Sequence, residues 1–97
     1  MAKGYWVVCY RSVSNPAALA EYAKLAGPAI QSAGGRFLAR GTAAKAYEAG
    51  KVDRVVVIEF DNIEKAKATY EGAAYQAALK VLTGATERDV RIVEGTA

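Results

Sequence analysis

The sequence predicts a single α+β domain over residues 1–97, ferredoxin-like, with its elements in the order βαββαβ. Two observations carry this expectation. Runs rich in aromatic and β-branched residues alternate, in that order, with stretches of helical spacing. The two clearest strands, Gly4 to Arg11 and Val52 to Phe60, are also apolar on both sides, as the inner strands of a covered sheet are.

The first strand, GYWVVCYR, is followed by Asn15-Pro16, a helix start with Asn15 as N-cap and Pro16 at the first helical position. Leu19, Tyr22, Ala23, Ala26, Ile30 and Ala33 then form one buried stripe, with a kink or break expected at Pro28, near Gly27. Gly34-Gly35 closes the helix, and Arg36 to Arg40 is a short second strand. Gly41 to Gly50 fits either a hairpin arm or a loop with a helical turn. Val52 to Phe60 is the third strand. Asp61 is the expected cap of the second helix, with Glu64 at the capping-box position. Ile63, Ala66 and Tyr70 begin its buried stripe, Gly72 breaks or bends it, and Tyr75, Ala78, Leu79 and Leu82 resume it. Gly84 ends the segment, and Asp89 to Glu94 is the last strand.

Right-handed crossovers place the first and third strands at the centre of a four-stranded antiparallel sheet, with two helices on one face. On the first strand Tyr5, Val7 and Cys9 share one side and Trp6, Val8 and Tyr10 the other. On the third, Val55 and Val57 oppose Val56, Ile58 and Phe60. The side without helices therefore calls for a homodimer through the sheet face, or for an open groove that holds a ligand.

Composition narrows the chemistry. The chain has one cysteine, Cys9, and no histidine. It has no internal disulfide, no histidine base, no Ser-His-Asp triad, no histidine-ligated haem and no ordinary zinc site. No cofactor and no metal are expected. The net charge is +3, from thirteen basic and ten acidic residues that are interspersed, which gives no reason to expect a nucleic-acid or membrane partner. The RNA-recognition fold shares the βαββαβ order, but it stacks bases on aromatics of the first and third strands, and here the third is aliphatic from Val55 to Ile58. That same run is far too short to span a membrane. With no secretory h-region at Met1-Ala2-Lys3-Gly4, the expected location is cytoplasmic.

Several motifs resemble a known family. They are Tyr5-Trp6, the block Gly34-Gly35-Arg36-Phe37-Leu38-Ala39-Arg40-Gly41, the block Arg54-Val55-Val56-Val57-Ile58-Glu59-Phe60, then Tyr70, Tyr75-Gln76 and the terminal Val93-Glu94-Gly95. Together they resemble the bacterial family called domain of unknown function 1330, over nearly the whole chain. The resemblance implies a ferredoxin-like fold within the dimeric α/β-barrel superfamily. That superfamily also holds cofactor-free monooxygenases, haem-degrading enzymes and muconolactone isomerases, an analogy at the level of fold alone. The chain departs from the family pattern at Thr42 to Ala49 and at Ala73-Ala74.

The candidate site residues are few. Arg40 and Arg54 fall on neighbouring hairpin strands and could clamp a carboxylate; the plainer alternative is ion pairing with Glu48, Glu59 or Asp53. Glu59 interrupts the apolar third strand, where a raised pKa would suit a general base; the alternative is a strand-pair charge balanced by Arg11 or Arg36. Tyr10, Tyr22, Tyr70 and Tyr75, with Trp6, could line a pocket that accepts aromatic groups, or simply fill the core. Tyr70 is the other candidate for moving a proton. The expected function is binding of a small anionic or aromatic organic ligand. The alternative is a cofactor-free enzyme acting on such a ligand by monooxygenase-like or isomerase-like proton transfer.

Overall fold

Alternation in β1 (Gly4–Val13) decides where the core lies. Trp6, Val8 and Tyr10 are at most 4% exposed, whereas Tyr5 and Val7 are half-buried and Cys9 is exposed. The computed structural model describes residues 2–96. After β1 come α1 (Pro16–Ser32), β2 (Arg36–Thr42), β3 (Arg54–Phe60), α2 (Ile63–Glu71), α3 (Ala73–Leu82) and β4 (Thr86–Glu94). The sheet is antiparallel throughout, in the order β2-β3-β1-β4, so β3 and β1 are central as expected.

Two parts of the expected fold are corrected. The sheet is open, with β2 and β4 as its edges, and it does not close into a barrel. Four strands are too few to close on themselves; small closed barrels take about eight. The helices number three rather than two. Gly72 is extended (φ −73°, ψ 155°), serving as the C-cap of α2 and the N-cap of α3. Gln76 Nε2 donates to the Tyr70 carbonyl at 2.6 Å, which satisfies one of the acceptors orphaned where α2 stops.

Local chemistry explains other departures. α1 runs without interruption through Pro28. Pro28 and Lys24 are both exposed, so the one carbonyl that proline leaves without a helical partner sits on the wet side. Asn15 caps α1 as expected, accepting from the Ala18 amide at 3.1 Å. Asn62, not Asp61, caps α2, accepting from the Lys65 amide at 2.8 Å. Asp61 is instead drawn into ion pairs with Arg36 (3.2 Å) and Lys65 (3.6 Å). Residues 43–53 form an irregular loop, pinned at its neck by the Ala43 amide on the Asp53 carbonyl (3.3 Å).

Two bulges set the side-chain faces. In β2, Leu38 is an extra residue between the pairs Phe37–Ile58 and Ala39–Val57. In β1, Arg11 is the extra residue between Tyr10–Arg88 and Ser12–Glu87. Under the helices, Trp6 packs on Phe60 (5.3 Å between ring centres), Tyr75 (4.9 Å) and Tyr70 (5.6 Å). Its indole N–H is satisfied by the Ala66 carbonyl at 2.7 Å.

Candidate functional site

A cleft opens between α1 and the helix-facing side of the sheet. Val8, Val56 and Ile58 form its floor, and Tyr22, Ala26 and Ile30 of α1 form its wall. Three arginines from three different strands line it: Arg40 of β2, Arg54 of β3 and Arg88 of β4. The empty space is about 440 Å³ when the open mouth and its solvent are counted. The inner part is tight, with room for about three waters.

Strand register brings these groups together. Arg40 pairs with Val56 and Thr42 with Arg54, so both arginines share the face of Val56. Tyr10 pairs with Arg88 on the same face. Of the expected site residues, Tyr10, Tyr22, Arg40 and Arg54 therefore line one cleft. Tyr75 stands behind them, its hydroxyl 2.6 Å from that of Tyr22. Tyr70 lies apart, stacked on Tyr75 (5.1 Å) and lining a neighbouring hollow beside Leu82 and Thr86.

Glu59 is on the opposite face of the sheet, between its register partners Tyr5 and Arg36. It accepts from Arg36 Nε at 2.9 Å and from the Tyr5 hydroxyl at 3.2 Å. The Arg36 hydrogen bond holds its carboxyl below the usual glutamate value. No carboxylate is among the residues that line the cleft.

The arginines keep their charge free. Among the described residues, neither Arg40 nor Arg54 nor Arg88 has a carboxylate within ion-pair distance. Arg40 lies 4.4 Å over the Phe37 ring. Arg88, which sequence reasoning missed, donates to the Tyr22 hydroxyl (3.3 Å) and the Tyr75 hydroxyl (3.2 Å). It also lies over the rings of Tyr10 (5.5 Å) and Tyr22 (5.4 Å). Its signal was its phase, since Arg88 shares the alternation of Val90 and Ile92, the core-facing side of β4.

Arg88 fixes the phenols as acceptors. One of the two hydroxyls must donate to the other, which leaves one phenolic proton to spend, and Tyr22 lines the cleft. Burial, followed by the neighbouring Tyr75, pushes the Tyr22 pKa up against the opposing pull of Arg88. The group is therefore neutral at physiological pH, and it has its proton to offer the cleft when Tyr75 is the donor of the pair. Chemically, the cleft offers guanidinium and phenol donors over an apolar floor, which suits a carboxylate on a small carbon body. Among the described residues there is no group of three His, Cys, Asp or Glu side chains placed to hold a metal ion.

An antiparallel ferredoxin-like sheet carrying an arginine- and tyrosine-lined cleft defines the class of this protein. The chain belongs to the family described as Domain of unknown function (DUF1330), whose model matches residues 3–96. It is similar in structure to a protein of unknown function from Rhodopseudomonas palustris, with TM-score 0.74 and 16% identity over 99% of this chain and 84% of that one. It is also similar to a dimeric ferredoxin-like protein of unknown function from Thermobifida fusca, with TM-score 0.62 and 15% identity over 96% and 91% of the two chains. A nipsnap family protein from Agrobacterium tumefaciens gives TM-score 0.60 and 16% identity over 98% and 91%. These identities speak for the fold alone. No curated protein matches the chain in sequence. Among the described residues, no helix is long and apolar enough to cross a membrane.

Proposed function

We propose that this protein binds a small organic acid in the cleft between α1 and the sheet, and that it does so as a homodimer joined through the open sheet face. One observation carries the binding reading: three guanidiniums without carboxylate partners face an apolar cleft that contains no acidic side chain. Guanidiniums left without anions favour a ligand that supplies one. Arg40 and Arg54 hold the acid at the mouth, Tyr22 donates to it, and Tyr10 offers its ring as an apolar surface. Tyr75 and Tyr70 support the site from behind. The exposed and free Cys9 thiol is compatible with a reducing, cytoplasmic setting.

The dimer is supported by the open face itself. Tyr5, Val7, Val55 and Val57 are only half-buried there, and Val93 is 50% exposed. The similar Thermobifida fusca protein is dimeric.

Trp6, the only tryptophan, lines the cleft and reports on its contents by fluorescence. The probes are valerate, glutarate and the neutral valeramide. At least one acid is expected to titrate Trp6 emission to saturation while valeramide does not. Ala23 is exposed and lines the cleft, so Ala23→Phe should weaken that binding at least tenfold with an unchanged melting temperature. Equal responses to acid and amide, or undiminished binding by the Ala23→Phe variant, would overturn the proposal.

A further inference from the structure

We infer that the ligand is a dianion, with two carboxylates on a short apolar body spanning two separate cationic ends of the cleft. This rests on the binding reading above and adds the ligand's class. The cations are not one cluster. Cys9 pairs with Val55, so the next residues, Tyr10 and Arg54, stand level on β1 and β3. Tyr10 in turn pairs with Arg88 on β4. Arg54, Tyr10 and Arg88 thus form one row across three strands, and the backbones of the two arginines are about 10 Å apart, two strand spacings. Arg40 sits diagonally beside Arg54, two residues along β2 from its register partner Thr42. One end of the row therefore carries Arg40 and Arg54, and the other carries Arg88 with the phenols of Tyr22 and Tyr75.

Between the two ends lie the Tyr10 ring and the aliphatic floor of Val8 and Val56. A monocarboxylate meets one end and leaves the other without an anion. A dicarboxylate meets both, and its methylenes cover the floor. The tight interior selects a short, unbranched chain between the carboxylates over a bulky one.

The test compares ligands of equal carbon count on the intact protein. Valerate and glutarate have the same number of carbons and differ in one carboxylate. Isothermal titration is expected to show glutarate binding at least tenfold tighter. In the double variant Arg40→Gln/Arg54→Gln the glutarate-to-valerate affinity ratio is expected to fall to within twofold. Circular dichroism and a melting curve on the same sample report whether that variant is folded. The comparison in the unmodified protein stands whether or not the variant folds. Valerate binding as tightly as glutarate in the unmodified protein overturns the dianion while leaving the acid site intact. A ratio that survives in the folded double variant also overturns the dianion. If neither acid binds, the acid site falls with it.

Discussion

The hydroxyls of Tyr22 on α1 and Tyr75 on α3 lie 2.6 Å apart, and the guanidinium of Arg88 on β4 donates to both. Two helices and an edge strand are thereby joined through three polar side chains in an otherwise apolar layer. Tyr75→Phe removes one acceptor from Arg88 and the partner of Tyr22. Urea denaturation should show a loss of about 1–2 kcal/mol. A double-mutant cycle with Tyr22→Phe should give a total smaller than the sum of the single losses, because both changes break the same contact.

The same pair sets an alkaline limit. Burial raises the Tyr22 pKa above its ordinary value of 10.0. Below that value the phenol is neutral in both the folded and unfolded chain, and its contribution is intact. As pH rises past it, the unfolded chain ionises first, so stability falls. Melting temperature should decline above pH 10, and Tyr22→Phe should flatten that decline.

An acid limit arises on the opposite face. Arg36 lowers the pKa of Glu59 from 4.5 and of Asp61 from 3.8. The stability tied to these pairs is present above the ordinary values and is lost as pH falls through the lowered ones. Arg36→Gln should lower the melting temperature at neutral pH and leave it less dependent on pH below about 5. Since Arg36 and Asp61 are exposed and Glu59 is only half-buried, the change should be small and should shrink further in high salt.

Two glycine-to-alanine changes should have opposite signs. A Cβ on Gly4 would come within 2.5 Å of the Asn62 carbonyl oxygen and 2.7 Å of Ile63 Cα, backbone atoms at the cap of α2. Gly4→Ala should cost about 2 kcal/mol in chemical denaturation. Gly27 lies inside α1 with open space around the position of a Cβ, and Gly27→Ala should gain about 0.5–1 kcal/mol.

Val57 sits on the central strand of the open face and is half-buried in the single chain. Val57→Lys should turn a dimer into a folded monomer in sedimentation equilibrium. A Val57→Lys protein that sediments as the unmodified one does would place the contact elsewhere.

Much of the layer order was legible because β1 and β3 are apolar on both sides, as central strands are, and their partners follow from handed crossovers. Boundaries were less so. Asp61 and Asn62 are adjacent residues with equal capping ability, and only the fold shows that Arg36 claims the first. Pro28 reads as a helix breaker until it and Lys24, one turn earlier, are known to face water. Arg88 escaped because the last strand was expected to begin one residue later, at Asp89, whereas the chain enters β4 at Thr86. Its two phenol partners are 13 and 66 positions away in the chain, a separation that no local pattern encodes. Arg40 and Arg54 were legible as neighbours, but whether both faced the helices depended on register.

That register turns on Leu38. If Leu38 were paired with Val57 instead of bulged, regular pairing from Phe37–Ile58 onward would set Arg40 opposite Val55, whose side chain belongs to the other surface. One unpaired residue, with no change of charge or composition, thus decides whether an arginine faces the cleft or the opposite surface of the sheet. A relative of the same length that pairs the residue at this point instead of bulging it would turn its arginine to the opposite surface, a difference that aligned sequences do not display.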